Sequence, residues 1–198
     1  MTRINFVLGL IVFFNLSCSS QAYPPEKLAI DQPFLDIFNA IKSMDHYVFQ
    51  KDSVSQREFV VVKIDSLIKN EKGPFINEKP YKLLQIKLRG VSPMDTLASD
   101  PSIVYVSKYP GENINSLCIK LKNFLFFQQG ELPPLMNDTV VINGREIFDY
   151  YLFHTQAQKL LESPEDIESV YVSPKEGLFA FKTKNGEMWY IVSNGLKN

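Results

Sequence analysis

Cysteine, histidine and tryptophan are scarce in this chain of 198 residues, which contains two, two and one of them. Two cysteines, Cys18 and Cys118, are too few for the disulfide framework of a small secreted scaffold. His46 and His154 are far apart, and neither has another His, Cys or Glu at the spacing of a metal site. The sequence therefore predicts no metal, no cofactor, and histidines with a structural or solvated role.

Strong charge and the common motifs of enzymes are also missing. A net charge of −1 gives no basic surface for nucleic acid, so nucleic-acid binding is not expected. The chain has no GxGxxG, GxxxxGKS/T, HExxH, GxSxG or CxxC motif. One catalytic hypothesis remains on residue types alone, with Cys118 as nucleophile, His154 as base and Asp149 orienting the base. The alternative is a buried, inert thiol at Cys118.

The apolar run at the N-terminus, residues 6–14, is far shorter than the roughly 20 residues that a membrane-spanning helix needs. It follows a short polar start with one positive charge, Arg3, and it precedes the small and polar residues 15–20. This is the layout of a secretory signal peptide, so we predict that residues 1–17 are a targeting signal and not part of the fold.

The end of this segment, Leu16-Ser17-Cys18, resembles the lipobox of bacterial lipoproteins, although Asn15 stands where that motif usually has an apolar residue. The resemblance implies cleavage before Cys18, a diacylglyceryl group on its thiol, and fatty chains such as palmitate that hold the protein on a membrane. It covers residues 1–18 only. The alternative is ordinary secretion, with Cys18 inside a cleaved signal and the protein soluble in the periplasm or outside the cell.

Composition and length predict a single domain behind this segment. With 45% hydrophobic and 22% charged residues, the chain can bury a sizeable core. Tyr23-Pro24-Pro25 favours an extended backbone, so residues 18–30 are predicted to be a lipidated tether and residues 31–198 the domain. We expect a lipoprotein of the cell envelope, a non-catalytic binding or structural module with a protein or glycan partner. The alternative is a membrane-tethered hydrolase that uses Cys118 and His154 or unrecognised residues.

Hydrophobic periodicity predicts an α+β fold with a mainly antiparallel sheet. Apolar residues at three- and four-residue steps predict an N-terminal helix over residues 32–49. A second helix is predicted near residues 146–162, although Asn143-Gly144 also fits a hairpin turn. Strands are predicted over residues 58–68, 81–91, 103–107, 116–128 and 169–172. A C-terminal hairpin over residues 178–192, with a two-residue Asn185-Gly186 loop, would place Lys182 opposite Trp189.

Two further patterns concern the surface. Five aromatic side chains are candidates for a carbohydrate or peptide groove, with burial in the core as the alternative: Tyr105, Tyr109, Tyr150, Tyr151 and Trp189. Four tripeptides resemble a short O-glycosylation signal of exported bacterial proteins, with coincidence as the alternative for each: Asp52-Ser53-Val54, Asp65-Ser66-Leu67, Asp95-Thr96-Leu97 and Asp138-Thr139-Val140.

Overall fold

The computed structural model describes residues 28–73, 76–91, 102–109, 114–121, 124–142, 144–155 and 163–196. The predicted signal peptide, Cys18 and most of the predicted tether lie outside these residues, so their assignment stays a prediction. Over the described residues, the chain has no helix with the length and apolar character needed to span a bilayer. Leu28 and Ile30, at the end of the predicted tether, are buried, and Ile30 belongs to the main core.

The helix α1 (Gln32–Lys42) begins after Asp31 and carries Pro33 in its first turn, where the proline costs no intrahelical hydrogen bond. One face of the helix is apolar and buried, as the periodicity predicts: Phe34, Ile37, Phe38, Ala40 and Ile41. Asp31 fixes the start of the helix to the sheet. Its carboxylate accepts hydrogen bonds from the buried Lys108 at 3.1 Å and from the side chain of Asn115.

The predicted helix over residues 32–49 has the correct start but is too long, because the helix ends at Lys42. The first strand, β1 (Met44–Gln50), follows at once. Beyond Ser43 the apolar spacing changes to two residues, which is the period of a strand, and Tyr47 and Phe49 both point into the core. The Tyr47 hydroxyl donates to the Ile41 carbonyl at 2.8 Å and so joins β1 to the end of the helix.

Within the described residues the chain forms twelve strands, of which ten make one antiparallel sheet in the order β6-β5-β4-β3-β2-β1-β12-β11-β10-β9. After β1 the strands are β2 (Gln56–Gly73), β3 (Ile76–Gly90), β4 (Ser102–Tyr109), β5 (Ile114–Leu121), β6 (Phe124–Gln129), β7 (Val140–Ile142), β8 (Arg145–Ile147), β9 (Tyr151–His154), β10 (Ile167–Ser173), β11 (Gly177–Thr183) and β12 (Met188–Leu196). A mainly antiparallel sheet with one helix is therefore the architecture of the described chain, and the predicted sheet is confirmed at this level.

The sheet bends around α1. The helix contacts β4 and β5 on one side and β10 and β11 on the other, while the edge strands β6 and β9 approach each other. The result is a single, nearly closed layer of strands with the main core between its inner face and the helix. The largest fully buried side chains of this core include Tyr47, Phe49, Phe59, Phe126 and Phe181.

The predicted pairing of the second and third strands is confirmed, since β2 and β3 are antiparallel partners over most of their length. Leu84, Ile86 and Leu88 alternate with more exposed residues and lie on the buried face, as the sequence pattern predicts. β1 pairs with residues 56–60 of β2. The pairing of β2 with β3 continues well beyond this segment, to Gly73.

A second, smaller layer covers the outer face of β10 to β12. The hairpin β7–β8 packs there with the bridge between Met136 and Tyr150, and it buries a satellite core: Ile142, Ile147, Tyr150, Phe179 and Ala180. Strand β11 is consequently buried on both faces.

The second helix predicted near residues 146–162 is wrong over residues 146–155, where the chain forms β8 and β9 instead. Residues 156–162 lie outside the described residues. The hairpin signal of Asn143-Gly144 prevails over the helical pattern: Gly144 has φ +76°, and Ile142 pairs with Arg145. Asp149, with φ +52°, turns the chain between the two strands.

The C-terminal hairpin is confirmed as β11–β12, but its predicted register is wrong by one residue. Trp189 lies opposite Phe181, and Lys182 lies opposite Met188. The loop has three residues, because the Thr183 N–H donates to the Glu187 carbonyl and Gly186 takes φ +87°. A one-residue shift moves a side chain to the other face of the sheet, so Trp189 enters the core instead of stacking against Lys182.

Candidate functional site

Arg57 is a buried arginine on the inner face of the sheet. It stands two residues before the buried Phe59 on β2 and therefore points to the same side as that ring. Its exposed fraction is 7%. Arginine is rarely buried to this degree unless its charge is paired, so this guanidinium marks a candidate functional site.

Two aromatic rings line the guanidinium. Its carbon Cζ lies 4.5 Å from the centroid of the Trp189 ring and 5.6 Å from that of Phe181. The two rings stack on each other with centroids 5.6 Å apart and planes inclined by 12°. A desolvated cation over an aromatic face gains about 2 kcal/mol, which offsets only part of the cost of burying the charge.

The hydrogen bonds of this group are incomplete. Among the described residues, neither Nη1 of Arg57 nor Nε1 of Trp189 has a hydrogen-bond partner, and both nitrogens are shielded from solvent. Nη2 of Arg57 reaches Oε2 of Glu165 at 3.4 Å, which is at the long limit of a hydrogen bond, and Glu165 is 56% exposed. Each buried donor without a partner costs about 1–3 kcal/mol, so this arrangement lowers the stability of the folded protein when no ligand is bound.

A second cation borders the same tryptophan. Lys51 places its Nζ 5.5 Å from the Trp189 ring centroid and donates to both carboxylate oxygens of Glu187, at 2.9 and 3.0 Å. Hydrogen bonding by Lys51, followed by that from Asn185, lowers the pKa of the Glu187 carboxyl. We call the combined group the Arg57 cluster: Lys51, Arg57, Glu165, Phe181, Glu187 and Trp189.

A surface pocket of about 350 Å³ adjoins the cluster at Lys51. It lies between the ends of β1 and β12 and the β7–β8 hairpin, with seven lining residues: Gln50, Lys51, Asp52, Val141, Ile142, Tyr190 and Val192. Backbone N–H groups of Ser55 and Val54 donate to the Asp52 carboxylate and lower its pKa, so this wall of the pocket carries a negative charge at neutral pH. Lys51 thus lines this open pocket and also contacts the ring of the buried Trp189.

The predicted catalytic residues do not meet among the described residues. Cys118 is 1% exposed, and the groups that act on its thiol are Tyr105 and Lys120, with no histidine among them. Burial raises the pKa of the thiol, although the Tyr105 hydrogen bond and the charge of Lys120 act in the opposite direction. His154 is exposed on the edge strand β9, and Asp149 is exposed in the turn before it.

The other candidate residues are dispersed. Tyr150 and Trp189 are buried in different cores, and Tyr109 stacks on Tyr81, with centroids 5.0 Å apart, at the paired ends of β3 and β4. The five aromatic residues therefore do not form one groove. His46 lies on β1, partly exposed, and across the described residues no group of three His, Cys, Asp or Glu side chains could hold a metal ion.

Three of the four Asp-Ser/Thr tripeptides place their hydroxyl residue on the surface. Ser53, Ser66 and Thr139 are exposed, whereas the tripeptide at Asp95 lies outside the described residues. Ser66 is on β2 and is exposed, so its side chain lies on the solvent-exposed face of that strand. Glycosylation at these positions stays a prediction.

Sequence reasoning missed the Arg57 cluster. The available signal was the position of Arg57 two residues before Phe59 in a β-branched segment, which places a charge on the apolar face of a strand. Comparisons with protein-family models, with curated proteins and with solved structures find no match for this chain.

Proposed function

We propose that this protein is a lipoprotein of the cell envelope, anchored through Cys18, whose domain is a non-catalytic binding module. The anchor is supported by the N-terminal sequence, in which a charged start, a short apolar run and Leu16-Ser17-Cys18 follow in the order of a lipoprotein signal. Two or more fatty chains on one residue make membrane attachment stable, and a tethered module gains a high local concentration near an envelope partner.

The observation that carries the binding role is the pair of unmatched buried donors in the Arg57 cluster. Native proteins satisfy nearly all buried polar groups, and the exceptions call for a specific explanation. A binding site explains this exception, because an incoming acceptor would satisfy donors that the described chain leaves unpaired. The pocket that Lys51 lines offers polar and apolar walls at the surface beside this lysine.

The environment of Cys118 argues against the hydrolase alternative. A nucleophilic cysteine acts as the thiolate and needs a base or a positive environment that lowers its pKa. Here burial dominates and raises the pKa of the thiol, and the hydrogen-bond partner is a tyrosine whose own pKa is raised, chiefly by burial. A structural role for Cys118 fits these contacts better than catalysis does.

The anchor is tested by expressing the full chain, fractionating the cells and measuring the N-terminal mass of the membrane-bound protein. We expect cleavage before Cys18 and the added mass of a diacylglyceryl group. Cys18→Ser should remove the protein from the membrane fraction, whereas the matched variant Cys118→Ser should remain there. An unmodified Cys18 thiol on the purified protein would contradict the anchor.

A further inference from the structure

One carboxylate, that of Glu165, already contacts the Arg57 guanidinium, and this contact is weak. The Glu165 carboxylate contacts Nη2 of Arg57 at 3.4 Å, while Nη1 remains without a partner among the described residues. A guanidinium presents its donors as a planar fork, which two oxygens of one carboxylate can engage at the same time. Glu165 approaches from a turn that is more than half exposed and uses only one side of this fork.

We propose that Arg57 is a binding site for an organic carboxylate, and that Glu165 occupies the site until the ligand carboxylate displaces it. This assignment rests on the binding role proposed above and gives that role a ligand class. The incoming carboxylate bonds both Nη1 and Nη2, and the Glu165 side chain, which is already largely solvated, turns out into water. No covalent bond changes in this exchange.

The surroundings favour a carboxylate over a phosphate or a sulfate. The guanidinium lies over the rings of Trp189 and Phe181, and a carboxylate that bonds a guanidinium within its own plane leaves these ring contacts in place. The side chain of Arg57 is only 8% exposed, so an anion must lose most of its water on entry. This loss costs more for a doubly charged tetrahedral phosphate than for a singly charged planar acid.

Acetate is the smallest suitable probe, because it reproduces the terminal CH2–COO group of Glu165. In the full chain, purified in a non-ionic detergent, Glu165→Ala vacates the site and leaves the Arg57 charge in place. Titration with sodium acetate at constant ionic strength is followed by the fluorescence of Trp189, which is the only tryptophan in the chain. We expect a saturable change, with half-saturation at about a tenfold lower acetate concentration in Glu165→Ala than in the wild type, as one charge-assisted hydrogen bond implies.

Matched controls separate the site from general ion effects. Acetamide has the same shape without the charge and should give no saturable change. Glu176→Ala also removes a carboxylate paired with an arginine, but that arginine is the exposed Arg145, outside the cluster, so this variant should stay within about twofold of the wild type. Adding Arg57→Lys to Glu165→Ala keeps the charge but removes the fork, and it should abolish the tighter binding.

An equal response of Glu165→Ala and Glu176→Ala, an equal response to acetamide, or a stronger response to inorganic phosphate would overturn the carboxylate assignment. A variant that loses the urea unfolding transition of the wild type is replaced by Glu165→Gln, which keeps the side-chain volume and should still bind acetate more tightly than the wild type. The two proposals fail separately: an unmodified Cys18 removes the anchor and leaves acetate binding intact, whereas absent acetate binding removes the ligand class and leaves the anchor intact.

Discussion

Gly177 lies where the sheet closely approaches the end of α1, and replacing it by alanine should destabilise the protein. It begins β11 with φ +69°, a conformation that alanine adopts at a cost of about 1–2 kcal/mol. A Cβ atom at this position would also lie 3.2 Å from backbone atoms of Ala40 and Ile41 at the end of α1. Because these neighbours are backbone, they cannot rotate away, and such overpacking costs about 1–3 kcal/mol.

The sum predicts that Gly177→Ala lowers the free energy of unfolding by about 2–5 kcal/mol. Gly186→Ala is the matched control, since Gly186 has φ +87° but no atom of the described residues within 4 Å of its added Cβ. The control should lose only the backbone contribution, about 1–2 kcal/mol. Urea unfolding followed by Trp189 fluorescence measures both variants, with an unchanged m-value as the sign that the unfolding reaction is the same. If the two variants were equally stable, the close packing of helix against sheet at Gly177 would be refuted.

Three further results are expected. Tyr47→Phe should destabilise the protein by about 1 kcal/mol, because the buried Ile41 carbonyl loses a hydrogen bond; an unchanged urea midpoint would contradict this contact. Burial and then the hydrogen bond to Asp138 raise the pKa of Tyr150 to about 12, above its unfolded value near 10. Its contribution to stability is therefore complete below about pH 10 and declines as the pH rises towards 12. Urea midpoints at several alkaline pH values would show this decline, and it should be smaller in Tyr150→Phe but still present, because burial also raises the pKa of Tyr105 and Tyr171. The Cys118 thiol should react with a thiol reagent only after unfolding, and rapid reaction in the native protein would contradict its burial.

The sheet was predictable from the sequence where local patterns agree with one another. Strand β3 alternates in hydrophobicity from Leu84 to Leu88, and a one-sided core follows directly from that pattern, whereas β2 was predictable from its run of β-branched residues. The helix boundary was harder, because residues between Phe38 and Phe49 include apolar side chains at both helical and strand spacing. The end of α1 at Lys42 is settled by tertiary packing, which needs Tyr47 and Phe49 on the inner face of a strand.

The segment after Val140 shows a conflict between two local signals. Asn143-Gly144 favours a hairpin, and the pair Asn143 and Glu146 favours a helix start. The outer face of β11 decides between them, because Phe179 and Ala180 need a cover that the β7–β8 hairpin provides. No local pattern contains that information.

The Arg57 cluster was out of reach of sequence reasoning because its members are distant in the chain. Arg57 and Glu165 are separated by 108 positions, and Lys51 and Glu187 by 136. In addition, the expected register of the C-terminal hairpin placed Trp189 beside Lys182 on the wrong face. Because the loop has one residue more than predicted, the sequence did not indicate that Trp189 and Phe181 lie together beside Arg57.

The position of the cluster bears on how an anchored domain would present it. Asp31, where the predicted tether meets the domain, is bound to Lys108 at the end of β4. Lys108 on β4 pairs with Lys82 on β3. Eight residues further along β3, Gly90 pairs with Phe59 on β2, two residues from Arg57. At about 3.3 Å per residue, this separation along the strands is about 26 Å. An anchor on Cys18 would thus attach at the end of the domain that carries the start of α1, with the Arg57 cluster towards the opposite end of the strands.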